Sequence, residues 1–183
     1  MASSNAMAIT TLTLRLLALG LLAASVAVLA TDRVTFDDGT KATFKDIVAY
    51  RFVISTGAIG FAYALFQIPF AVYHVSTGKQ MIRNECLPEF DFYGDKIIAF
   101  LLATGVGAGF AVSFEFKKLI RDFIDSFERL GVPGLTESES KLDKFLDRAN
   151  IATGLLFLAF LCMAALSVLS SLKRTPSSNG FFG

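Results

Sequence analysis

Arg15 and Asp95 carry opposite charges at the positions of this chain least suited to charge: Arg15 lies inside an apolar run, and Asp95 lies at the mouth of another. An ionisable group within a bilayer costs at least about 2.5–3.5 kcal/mol on insertion scales, so it faces a partner or has a function. A proton or ion pathway would need further ionisable groups beside the pair. The apolar runs supply few polar groups beyond Ser, Thr and Gln67, so no conducting route is evident. Other catalytic chemistry is sparse. His74 is the single histidine, and Cys86 and Cys162 are two cysteines without metal-ligand spacing. There is no Ser/His/Asp or Cys/His set, and the carboxylates fall mainly between the apolar runs. A diiron helical site would need several inward Glu and His residues, which are absent. No metal or cofactor is expected.

The elements that position these charges follow from hydropathy. With 54% hydrophobic residues and a mean hydropathy of +0.58, the chain is too apolar for an ordinary soluble domain. Apolar runs at about Met7–Ala30, Val48–Tyr73, Asp95–Phe114 and Ile151–Leu172 each reach the length a bilayer requires. They predict an all-α membrane protein: one four-transmembrane-helix bundle over residues 1–183, with a tail at about 175–183. The net charge of +1, with acids interleaved among bases, gives no sign of nucleic-acid binding. Val28-Leu29-Ala30 has signal-peptidase spacing, but no basic residue precedes Arg15 and the run starts at about Met7, so the segment is expected to stay as a span.

Between the runs, two short β-favouring stretches within Asp32–Phe44 flank an Asp-Asp-Gly turn, predicting a small β-hairpin outside the bilayer. Pro69 is expected to kink the second helix near its exit. Gln67 is expected to bond a neighbouring helix. Asn84–Asp91 reads as a polar connector containing Cys86. Lys117–Leu130 keeps apolar residues at three- and four-residue spacing, which predicts a helical extension of the third span out of the membrane. Thr136 followed by Glu139 reads as a capping box restarting a helix whose face Leu142, Phe145 and Leu146 would pack on that extension.

Small residues are the expected means of packing. Gly57 and Gly60 narrow the second span, and Gly105 with Gly109 forms a Gly-x-x-x-Gly pair in the third. The motif alone leaves open whether that contact is within one chain or between chains. Odd-numbered spans run in the same direction, so Arg15 and Asp95 share a membrane face. Direct pairing would fix the register of the first and third helices. The alternative is two separate interfacial charges, Arg15 snorkelling and Asp95 capping its helix.

Phe44-Lys45-Asp46-Ile47-Val48-Ala49-Tyr50-Arg51 and Asp91-Phe92-Tyr93-Gly94-Asp95-Lys96-Ile97-Ile98 are similar to the segments entering the second and third spans of the plant Casparian strip membrane domain protein (CASP)-like family, which is related to MARVEL-type four-span proteins. An arginine in the first span and an aspartate in the third belong to that pattern, and here they map to Arg15 and Asp95. The first loop lacks the long signature of strip-forming members and the third loop lacks their cysteines, so the likeness is to the CASP-like branch. It implies a non-enzymatic plasma-membrane protein with both termini cytoplasmic. It also implies homo-oligomers, hetero-oligomers with related four-span proteins, contact with membrane lipids, and scaffolding of cell-wall-modifying partners. A channel or transporter for a small solute is the alternative function. The positive-inside rule by itself gives the reverse orientation, because the first and third loops hold more Lys and Arg.

Overall fold

Each apolar run folds as a helix, because in hydrocarbon a segment must satisfy its own backbone N–H and C=O groups. A computed structural model describes residues 2–35, 41–77, 86–129 and 136–174. The helices are α1 (Ala2–Thr31), α2 (Val48–Thr77), α3 (Cys86–Arg129) and α4 (Thr136–Arg174). All four contain segments long and apolar enough to cross a membrane: Ala6–Thr31, Val48–Thr77, Asp91–Phe127 and Ser140–Leu172. With 44 residues, α3 is roughly 66 Å long at 1.5 Å per residue, about twice the thickness of a hydrocarbon core.

The helix starts differ from expectation in one place. Cys86 begins α3 rather than lying in a connector, so Asp95 sits well inside the helix and is not its cap. Pro88 falls in the first turn, where its missing N–H is no loss. Pro69 is inside α2, and the helix continues through it to Thr77. Side chains of His74, Thr136 and Glu139, the connector residues before Cys86 and the tail after Arg174 lie outside the described residues, and with them the capping-box reading.

The helices close into a ring in chain order. α1 packs on α2 and α4, and α3 packs on α2 and α4, leaving α1 and α3 across one diagonal with little direct approach. Leu22, Leu102, Leu156 and Met163 fill the interior. Large apolar side chains such as Leu17, Phe66, Phe100 and Leu158 point outward, the distribution expected where the solvent is lipid.

Gly105 and Gly109 face inward within the chain. A Cβ at Gly105 would overlap Thr56 of α2, and one at Gly109 would come 2.6 Å from Thr153 Oγ1 of α4 and 3.1 Å from Val53 of α2. On α2, a Cβ at Gly57 would meet Val26 at 2.9 Å and one at Gly60 would meet Leu102 at 3.0 Å. Missing side chains on α2 and α3 thus let four backbones draw together.

Between α1 and α2, β1 (Arg33–Thr35) and β2 (Lys41–Thr43) pair antiparallel with Val34 opposite Ala42. Val34 is buried against the bundle, which supplies the support that an isolated two-stranded ribbon lacks. A 3-10 helix, Phe44–Asp46, leads into α2. Asp46 accepts hydrogen bonds from Thr43 N at 2.7 Å and Thr43 Oγ1 at 3.0 Å. These bonds, the backbone N–H first, hold its carboxyl below the usual range.

Candidate functional site

The charges meet inside the bundle, in the half nearer the start of α1 and the end of α2. Arg15 donates from Nη1 to Asp95 Oδ1 and from Nη2 to Asp95 Oδ2, each at 3.3 Å. Arg15 is 3% exposed and Asp95 1%. The pair spans the diagonal that backbone contact leaves open, because the arginine stem is long enough to reach over it. Fork-to-fork geometry fixes the rotation of both helices as well as their separation.

Three more side chains complete the cluster. Tyr63 of α2 donates its hydroxyl to Asp95 Oδ1 at 2.8 Å, and Gln67 donates to the Tyr63 oxygen at 2.9 Å. Asp91, half-buried one helical turn before Asp95, lies 3.8 Å from Arg15 Nη2. Gly94 makes the tyrosine contact possible, since a Cβ there would sit 2.5 Å from its hydroxyl oxygen. Two carboxylates thus share one guanidinium, with a phenol on the more buried of them. Three helices, α1, α2 and α3, are tied at one level by charge-assisted bonds in a low-dielectric interior.

Sequence reasoning reached part of this. It singled out Arg15 and Asp95, and the structure brings them together. It set Gln67 against a neighbouring helix, whereas its bond goes to Tyr63 on its own helix and reaches α3 only through that hydroxyl. It passed over Asp91 and Tyr63. Asp91 and Asp95, like Tyr63 and Gln67, are four residues apart, the spacing that places both members on one helix face. That spacing was the available signal.

A second polar level lies at the loop end. Tyr50 and Ser113 share a 2.8 Å hydrogen bond between α2 and α3, and Ser25 of α1 donates to the Ala152 carbonyl of α4 at 2.7 Å. Asp32, just past α1, is fully buried and lies 3.6 Å from Arg148 Nη1. Burial pushes the Asp32 carboxyl above its ordinary range, and the Arg148 charge offsets this in part. Lys117 of α3 pairs with Asp147 of α4.

Inward charges bonded to one another, outward apolar side chains and four spanning helices define a multi-pass membrane protein. Comparison narrows the class. The family model of the Casparian strip membrane protein domain matches residues 4–162, and the chain belongs to that family. It is 35% identical over 163 residues to CASP-like protein 4D1 of Ricinus communis, covering 87% of this chain and 88% of that protein. It is 36% identical over 181 residues to CASP-like protein 4D1 of Sorghum bicolor, covering 92% and 93% of the two chains. With CASP-like protein 4D2 of Arabidopsis lyrata subsp. lyrata it shares 38% identity over 164 residues, covering 88% and 87%. No solved structure matches the chain.

Proposed function

We propose that this chain is a non-enzymatic plasma-membrane scaffold. It associates with copies of itself and with related four-span proteins, with both termini in the cytoplasm, and gathers cell-wall-modifying partners into a membrane domain. The observation that carries this reading is the use made of the buried charge. Arg15 and Asp95 engage each other, Tyr63 and Asp91, so the cluster's bonding capacity goes to joining three helices. A carrier needs an ion or substrate site that binds and releases. Here the pair crosses the bundle diagonal, where a conducting route would have to run. The names of the relatives support a CASP-like role, and the outward apolar surface offers lipid and neighbouring spans a broad contact.

Photobleaching of a fluorescent fusion tests the proposal, with slow lateral recovery and co-purified four-span neighbours as the expected result. Free diffusion as a single chain would refute it, as would solute flux through reconstituted vesicles. Protease protection of a terminal tag in sealed plasma-membrane vesicles tests the orientation. A tag digested from the extracellular side would reverse it.

A further inference from the structure

α3 outruns α2. Tyr50, near the start of α2 at Val48, is bonded to Ser113, so the part of α3 beyond Ser113 passes the level at which α2 begins. Around that level, the start of α2 and Ala108, Val112 and Phe116 of α3 line a lateral groove of about 590 Å³. Above it the same row continues as Leu119 and Phe123, which are 64% and 57% exposed. Ile120 and Ile124, around the helix from them, pack inside the molecule. Steps of four, four, three and four residues keep such a row straight along a helix. Glu115, Lys117, Lys118 and Arg121 are the first charged residues along α3 after Lys96, so we set the water boundary there, with Leu119 and Phe123 beyond the hydrocarbon that would cover them.

We propose that this row, Ala108–Val112–Phe116–Leu119–Phe123, is the surface through which two copies of the chain associate, α3 beside α3, about a twofold axis along the membrane normal. The inference rests on the self-association proposed above and specifies its surface. Two features select a second copy as the occupant. A common membrane sets both copies upright at equal depth, so the two rows meet level with no further adjustment. The rims also differ in the sign of their balance: exposed Glu115 and Asp122, with exposed Lys118 between them on one flank of α3, and exposed Lys45 and Arg51, with Asp46 between them, at the entry to α2. A twofold axis sets each rim against its opposite in the partner, as an isologous contact requires. Asp46, held by Thr43, keeps its negative charge, and the two cations leave that rim basic on balance.

Disulfide trapping in native membranes tests the surface. With Cys86→Ser and Cys162→Ala as background, Leu119→Cys and Phe123→Cys should give a dimer-sized band on mild oxidation. Leu65→Cys and Leu158→Cys, exposed elsewhere on the bundle, should give none. Glu115→Lys should abolish the Leu119→Cys band, and adding Lys45→Glu should restore it. Each variant is scored only if it elutes like the parent. Native mass measurement separates the outcomes. A dimer that fails to cross-link at 119 and 123 overturns this surface and leaves self-association standing. A single-chain mass overturns both, and a Leu119→Cys adduct with a different protein overturns the choice of occupant.

Discussion

Asp95→Ala is the perturbation that bears most directly on the cluster. It leaves the Arg15 guanidinium, 3% exposed, with Asp91 at 3.8 Å in place of two bonds at 3.3 Å. It also strips the Tyr63 hydroxyl of its acceptor. Removing one partner of a buried ion pair costs about 3–5 kcal/mol. The residual Asp91 contact and the capacity of arginine to snorkel place this case near the lower figure. A loss of about 3 kcal/mol lowers the folded-to-unfolded ratio roughly a hundredfold. Tyr63→Phe keeps the ring and removes two hydrogen bonds, the donation to Asp95 and the acceptance from Gln67, so at about 0.6 kcal/mol on average and at most about 1.7 kcal/mol per bond in membranes its cost should be roughly 1–3 kcal/mol. Arg15→Met strands the same interaction from the other side. The double variant should therefore lose much less than the sum of the single losses, with a coupling of roughly 2 kcal/mol. Exchanging Arg15→Asp with Asp95→Arg should recover only part of the stability, because the Tyr63 hydroxyl, which donates to the carboxylate at 95, would then face a cation. The assay is denaturant titration of purified protein in lipid–detergent micelles, followed by helical circular dichroism. Losses that add within about 0.5 kcal/mol would refute direct pairing.

The glycine contacts predict opposite outcomes at neighbouring positions: Gly105→Ala should destabilise by about 1–3 kcal/mol through overlap with Thr56, whereas Gly107→Ala, with open space around its Cβ, should be neutral or gain up to about 1 kcal/mol in the same titration. Gly94→Ala should displace the Tyr63 hydroxyl from Asp95, visible as a shift in tyrosine near-ultraviolet absorption that a Tyr63→Phe background lacks. Asp32 takes up a proton more readily in the folded than in the unfolded chain, so its penalty is present above the folded pKa and fades as pH falls through that value toward 3.8. Arg148→Gln should deepen that penalty at neutral pH, giving a larger stability loss there than in acid. Equal losses at both pH values would sever the link between Arg148 and Asp32. The Asp46 carboxyl is held low, so its grip on Thr43 should persist above 3.8 and be lost as pH falls below it, readable as faster amide exchange at Thr43.

Much of this molecule could be read from residue order. Four spans, their alternating direction and the hairpin strands follow from hydropathy and β-favouring residues, because a bilayer enforces helix over any apolar run of sufficient length. The α3 extension follows likewise from its three- and four-residue periodicity. Arg15 and Asp95 stand out because charge in an apolar run is costly wherever its partner lies. Two of the polar residues that complete the cluster stand out less. Tyr63 is amphipathic and ordinary in a span, and Asp91 precedes the apolar run, so neither violates a local rule.

Tertiary structure decided the relations across the bundle. Sequence gave Arg15 and Asp95 a common face but not a common point; that needed the ring order that sets α1 and α3 on a diagonal an arginine can cross. The Gly-x-x-x-Gly pair offered close approach to any helix, and only the fold aimed it at Thr56 and Thr153 of the same chain. Asp32 and Arg148, far apart in sequence, meet because α4 returns antiparallel beside α1. Hydropathy is a property of each segment alone, so the sequence by itself settles what crosses the membrane. Which faces meet depends on all four segments at once, and that is settled only when they pack.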